Sequence, residues 1–178
     1  MLIRDALLTD LPAIARVHVD SWRTTYRGIV SDDYLASLSY EQRERGFQDG
    51  WDERHNIFLV AEDAGDGIVG FAVAGPERTN DVQFRGELYA VYLLQSHQRR
   101  NVGSLLVSTA VERLQAAGFH SMMTLVLADN PACKFYERLG GKRVRTLPVT
   151  IGGTSFVEVV YGWTDIGELL SAARSPTA

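Results

Sequence analysis

The alternation of apolar and polar positions divides the chain into short strands and amphipathic helices that follow one another without a low-complexity linker or an internal repeat. Residues 2–7 read as a strand, and Thr9-Asp10-Leu11-Pro12 as a helix start, with Thr9 as cap and Pro12 in the first turn. Ile14, Val17, His18 and Ser21 keep helical spacing up to Trp22, Gly28 breaks it, Ser31-Asp32-Asp33 caps a second helix, and residues 40–51 continue as a third. Residues 57–62 and 68–75 form two strands around the hairpin turn Asp63-Ala64-Gly65-Asp66-Gly67, and residues 77–85 are a polar connector. Residues 87–94 are dense in aromatic and branched side chains, as in a buried strand. From Val102 the positions Leu105, Leu106, Thr109, Ala110, Arg113 and Leu114 predict a helix that stops at Gly118. Residues 120–127 are a further strand. Asn130-Pro131 opens a short helix through Leu139, and residues 142–149 and 155–163 pair as a hairpin across Gly152-Gly153. The pattern gives one domain over residues 1–165 and a tail over 166–178, small and polar from Ser171 and expected to fray.

Composition narrows the function classes. A chain of 178 residues holds one substantial core, and 18 basic against 22 acidic residues leave a formal charge of −4. Such a surface has no general pull on nucleic acid or anionic membrane. The first residues carry early acidic groups and no sustained apolar run, so neither a leader nor a membrane span is expected, and the cytoplasm is the default compartment. Cys133, the single cysteine, cannot form an internal disulfide and reads as a small buried hydrophobe. The histidines at 18, 55, 97 and 120 lack ligand spacing and are expected at the surface or beside helix ends, with no metal site.

The chemistry concentrates where the aromatic strand turns into the long helix. In Gln98-Arg99-Arg100-Asn101-Val102-Gly103-Ser104, Gly103 and Asn101 are expected to let the chain turn so that several backbone N–H groups converge at a helix N-terminus beside two guanidinium groups. That is an anion cradle reinforced by the helix dipole. A triphosphate loop would need Gly-Lys-Ser/Thr and a dinucleotide fold Gly-x-Gly-x-x-Gly near its first strand, and neither stands in that place here.

The heptad resembles Gln/Arg-x-x-Gly-x-Gly/Ala, the pyrophosphate signature of the GNAT superfamily of acyl-CoA-dependent N-acetyltransferases, with Asn101 in place of the first glycine. Asn visits positive φ at low cost, so the replacement keeps the turn. A second stretch, Asn130 followed by Phe135, Tyr136, Glu137, Leu139 and Gly140, resembles the family's Asn and Phe-Tyr-Glu-x-Leu-Gly pattern, and the element order is similar along most of the chain. The resemblance implies a mixed α/β single-domain GNAT fold, with a mostly antiparallel twisted sheet whose fourth and fifth strands splay apart. It implies acetyl-CoA as co-substrate and no metal, and members of the family are often homodimers, sometimes joined through their last strands.

The resemblance also assigns roles. Backbone groups of Arg99, Arg100, Asn101, Val102, Gly103 and Ser104, with Gln98, would hold pyrophosphate, while those of Val91, Tyr92 and Leu93 would pair with the pantetheine arm. Asn130 would reach that arm, although it is also a good helix cap. Tyr136 matches the general acid that protonates the departing thiolate; the alternative is an anchoring tyrosine. Glu87 matches a general base in the histone-acetylating branch, and strand alternation would put it on one face with Tyr89, Val91 and Leu93; an exposed strand-end glutamate is the other reading. Glu158, between valines, is the reserve base. Trp22 and Tyr26 would wall the acceptor pocket, or Trp22 would fill the core. The expected activity is acetyl transfer to a primary amine by direct attack; the alternatives are a noncatalytic acyl-CoA-binding module and a generic phosphate-binding domain.

Overall fold

A computed structural model describes residues 1–52 and 56–174; His55 and the last four residues lie outside the described residues. Seven strands, β1 (Leu2–Asp5), β2 (Ile57–Asp63), β3 (Gly67–Pro76), β4 (Gly86–Leu93), β5 (Met122–Leu127), β6 (Lys142–Ile151) and β7 (Thr154–Trp163), form one sheet in the order β1-β2-β3-β4-β5-β7-β6. The helices are α1 (Leu11–Thr25), α2 (Asp32–Ser37), α3 (Tyr40–Asp49), α4 (Val102–Ala116), α5 (Cys133–Arg138) and α6 (Ile166–Arg174). The mixed α/β fold expected from the element order is therefore present. No helix among the described residues is long and apolar enough to cross a membrane.

Two cores lie on opposite faces of the sheet. On one, Val102, Leu106, Val107, Ala110, Val111 and Leu114 of α4 pack on strand residues that include Leu59, Leu88, Met122 and Val159. The buried stripe shares Leu106, Ala110 and Leu114 with the predicted one but turns the other way around the helix, leaving Leu105 43% exposed. Both phases satisfy i, i+4 spacing, and the valines at 107 and 111 decide by fitting the pleated surface. The segment after Asp165, expected to trail off as a tail, forms α6, whose Ile166 and Leu169 are buried in this same core. On the other face, Leu11, Ile14 and Val17 of α1 pack against Phe58, Val60, Phe71 and Val73.

Local signals account for most boundaries. Ser31 accepts a hydrogen bond from Tyr34 N–H at 3.3 Å and caps α2 as predicted. Thr9 caps nothing: a 3-10 turn over Leu8–Asp10 precedes α1, and Asp10 accepts from Leu7 N–H at 2.8 Å while Arg4 grips its carboxylate at 2.6 Å. Histidines 18 and 97 are buried rather than superficial. The β2–β3 turn brings Asp66 within 3.2 Å of His97, with Asp63 alongside, although the histidine had shown no ligand spacing along the chain.

Candidate active site

The site is built where β4 and β5 part. These strands run parallel and pair only at Gly86 with Met122 and Glu87 with Met123; beyond that they separate, as the splay expectation required. On its other side β4 stays paired with β3, and Leu94 N–H donates to Val69 C=O at 2.9 Å. Alternation in an antiparallel ladder then turns the N–H groups of Val91 and Leu93 away from β3, into the gap. Tyr92 was expected to join them through its backbone, but its N–H belongs to the β3 ladder, and what it presents is its hydroxyl.

The cradle at α4 has the expected turn with a different division of labour. Arg99 and Asn101 both hold positive φ, 60° and 64°, whereas Gly103 lies within the helix at ordinary dihedrals. A Cβ on Gly103 would sit 3.7 Å from the Phe135 ring, an ordinary contact, so the glycine is not required for the turn. The first helical bond of α4 runs from Leu105 N–H to Asn101 C=O at 3.1 Å, which leaves the N–H groups of Val102, Gly103 and Ser104 outside the ladder. Arg99 and Arg100 are exposed beside them. Gln98 is spent on bracing: its Nε2 donates to Leu93 C=O at 3.1 Å. Free amides along one strand and at one helix end, with cations at the mouth, fit an extended diphosphate-bearing ligand.

Tyr136 of α5 lies against this gap, 7% exposed, with its ring 5.3 Å from Phe135 and 5.9 Å from Tyr161. Its hydroxyl meets Thr124 of β5, whose own Oγ1 donates to Leu88 C=O at 2.8 Å. Burial first, and then the neighbouring Tyr92, hold the Tyr136 phenol above its ordinary pKa, so it keeps its proton at neutral pH. Both amide atoms of Asn130 are engaged within the protein: Oδ1 accepts from Ala132 N–H at 2.8 Å, just ahead of α5, and Nδ2 donates to the Tyr26 hydroxyl at 3.0 Å. Tyr26 in turn bonds Tyr92, whose oxygen also accepts from Trp22 Nε1 at 3.0 Å. Trp22 and Tyr26, predicted as pocket wall, thus belong to a buried network joining α1, β4 and the start of α5.

Glu87 is placed differently from the expectation. The register slips between Val73 and Ala74, so Tyr89 is an extra residue in β4. The bulge keeps Glu87 and Tyr89 on the α1 face but sends Val91 and Leu93 to the α4 face, with Ala90 and Tyr92 taking their places. The Glu87 carboxylate is 2% exposed and gripped by Arg78: Nη2 donates to Oε1 at 2.6 Å, while Nε and the backbone N–H donate to Oε2 at 3.2 Å. Arg78 lies over the Tyr89 ring at 4.0 Å.

His18, Arg43 and Arg78 carried no signal in the sequence as site groups. A cavity of about 640 Å³ opens between α1, α3 and β3–β4, with His18, Arg43, Arg78, Tyr89 and Tyr92 on its walls. His18 is buried and its Nδ1 has no partner; burial, then the Arg43 charge, push its pKa down to about 3. Only a buried face for α1 reveals it, and its helical spacing gave that much.

A strand that leaves its neighbour, amides free at the next helix, and a protonated phenol beside them are parts that an acyl-transferase site would use. The profile of the Acetyltransferase (GNAT) family matches residues 18–141, and the chain belongs to that family. It is 41% identical over 169 residues to the uncharacterized N-acetyltransferase YuaI of Bacillus subtilis (strain 168), covering 94% of this chain and 95% of that one. It is 29% identical over 140 residues to the L-methionine sulfoximine/L-methionine sulfone acetyltransferase of Pseudomonas paraeruginosa, covering 78% of each. The PaiA N-acetyltransferase from Thermoplasma acidophilum, solved in complex with coenzyme A, shares the fold at a TM-score of 0.66 and 24% identity, covering 89% of this chain and 96% of that one. The protein is an acetyl-CoA-dependent N-acetyltransferase.

Proposed function

We propose that the protein acetylates the primary amine of a small molecule by direct attack on acetyl-CoA. The observation that carries the reading is the strand gap itself, with the N–H groups of Val91 and Leu93 turned into it, those of Val102, Gly103 and Ser104 free at its end, and Tyr136 beside it. Acetyl-CoA supplies the activated acyl group. Val91 and Leu93 bind its arm, the 99–104 loop its diphosphate, and Tyr136 protonates the sulfur as the C–S bond breaks. The phenol is a weaker acid than the thiol, of pKa about 8.5, so protonation of the departing thiolate runs uphill and is completed as the phenolate takes back the second proton of the acidic adduct nitrogen. Cys133, buried and with its thiol near the Leu127 carbonyl at 3.5 Å, is poorly placed for an acyl-enzyme.

The amine arrives over the α1 face, where Tyr92 lines the cavity and Trp22 and Tyr26 hold its hydroxyl from behind. The small-molecule class follows the relatives that act on L-methionine sulfoximine and L-methionine sulfone. Residence in the cytoplasm and pairing through the exposed β6 edge complete the proposal. The test is thiol release from acetyl-CoA in the presence of L-methionine sulfone, L-lysine, spermidine and a tripeptide, with mass analysis of the products. An acetylated amine supports the reading; tight acetyl-CoA binding without transfer to any amine replaces it with a binding module.

A further inference from the structure

We propose that Glu158, rather than Glu87, is the carboxylate that receives the acceptor's ammonium group and takes its proton; this deepens the transferase reading and rests on it. Along β7, Phe156 and Val160 pack on the α1 face while Val159 enters the α4 core, so alternation places Glu158 on the α1 face. Its strand partners are Leu127 on β5 and Leu147 on β6. Leu127 packs with Tyr26, Leu35 and Tyr92, which sets the glutamate at the edge of the hydroxyl network that ends at the strand gap. The turn between β6 and β7 presses Gly152 against Tyr34 of α2, where an added Cβ would come within 2.7 Å of the ring. The same face is thereby walled on the side away from β4.

The two carboxylates on this face contrast. Glu87 is closed over and its oxygens are occupied by Arg78. Glu158 is half-buried, and no hydrogen bond or ion pair among the described residues engages it. A carboxylate partly withdrawn from water without a partner is costly, and a cationic guest removes the cost. Burial, then the charge of Glu87, raise its pKa, which makes it a better base near neutrality. The titratable groups around it are Glu87 and Tyr92 from β4, Tyr26 and Tyr34 from the α1–α2 side, and Arg145 from β6, which is paired with Asp81 at 2.6 Å. The β5 residues on this face, Met123, Leu125 and Leu127, are apolar.

The protons balance. Glu158 takes one from the ammonium group, the freed nitrogen lone pair forms the C–N bond, and the C–S bond breaks as Tyr136 protonates sulfur. The second nitrogen proton returns to Tyr136, and Glu158 releases the first to solvent through its exposed side. One proton is lost per turnover.

The test measures kcat/KM for the full chain between pH 6.5 and 10, using acetyl-CoA and whichever of the four amines releases thiol fastest. The variants are Glu158→Gln, Glu158→Asp and Glu87→Gln, each checked for unfolding temperature and for acetyl-CoA binding. Glu158→Gln is expected to lose about 100-fold or more at pH 7, and the deficit to shrink about tenfold per pH unit as the amine deprotonates by itself. Glu158→Asp falls between, and folding and acetyl-CoA binding stay unchanged. A Glu158→Gln rate within about threefold of wild type, a deficit independent of pH, or a pH-rescued deficit in Glu87→Gln alone overturns the assignment. Wild-type protein that acetylates none of the amines overturns the transferase reading instead.

Discussion

His18 provides a test of the α1 face that needs no ligand. Its imidazole is buried, stacked on Trp22 at 5.7 Å and packed against Tyr92 at 4.7 Å, with Arg43 facing it and Nδ1 unpartnered. Its pKa is pushed down to about 3 in the fold, against an unfolded value near 6.5. A histidine depressed on folding contributes stability that is complete above the unfolded pKa and is lost as pH falls towards the folded one. Between pH 7.5 and pH 5 the unfolded chain gains a proton that the fold refuses, and the difference integrates to about 2 kcal/mol at ~25 °C. Urea unfolding at pH 7.5, 6.5, 5.5 and 5 on wild type and on His18→Leu isolates the effect, because the remaining histidines and carboxylates are common to both. The wild type is expected to lose about 2 kcal/mol more than the variant over that range. Parallel pH profiles would mean that His18 is solvated or charged in the fold and that the α1 face is not closed around it.

Asn130→Ala removes the bonds to Ala132 N–H and to the Tyr26 hydroxyl and should cost about 2 kcal/mol, lowering the unfolding temperature by roughly 4–8 °C in a thermal scan. Tyr136→Phe should leave acetyl-CoA affinity intact in calorimetry while lowering kcat by about 100-fold or more, since only proton delivery to sulfur is lost. Arg78→Ala strands the buried Glu87 carboxylate and should destabilise by about 1–3 kcal/mol in urea, with Arg78→Ala/Glu87→Gln recovering part of the loss.

The strands and most helices were legible because their signals are local. Glycines 28, 67, 152 and 153 do sit at positive φ where the turns were placed, and Asn101 does supply the left-handed residue that the missing glycine would have given. What escaped depends on events between elements. The extra residue at Tyr89 leaves no mark in composition, yet it decides which β4 side chains share a face with Glu87. The Arg78–Glu87 grip joins residues nine apart across the β3–β4 connector, so the glutamate read as an exposed strand end or an open base instead became a closed ion pair. Motif spacing points to Gly103 as a turn residue, whereas the backbone turns at Arg99 and Asn101. The helix after Asp165 was hidden by a small, polar terminal composition, although Ile166 and Leu169 already had the spacing of one buried face.

That the gap between β4 and β5 and the α4 N-terminus form one acetyl-CoA site is tested most directly by titration calorimetry with acetyl-CoA, against ADP, on wild type and on Gly103→Asp. A carboxylate added in the first turn of α4 would face the diphosphate at a cost of about 3 kcal/mol for charges ~6 Å apart at an effective dielectric near 20, roughly a hundredfold in affinity. Acetyl-CoA is expected to bind more tightly than ADP, and the variant to lose most of that binding while keeping its unfolding temperature. Equal binding of the two ligands, or an unchanged affinity in Gly103→Asp, would contradict a single site.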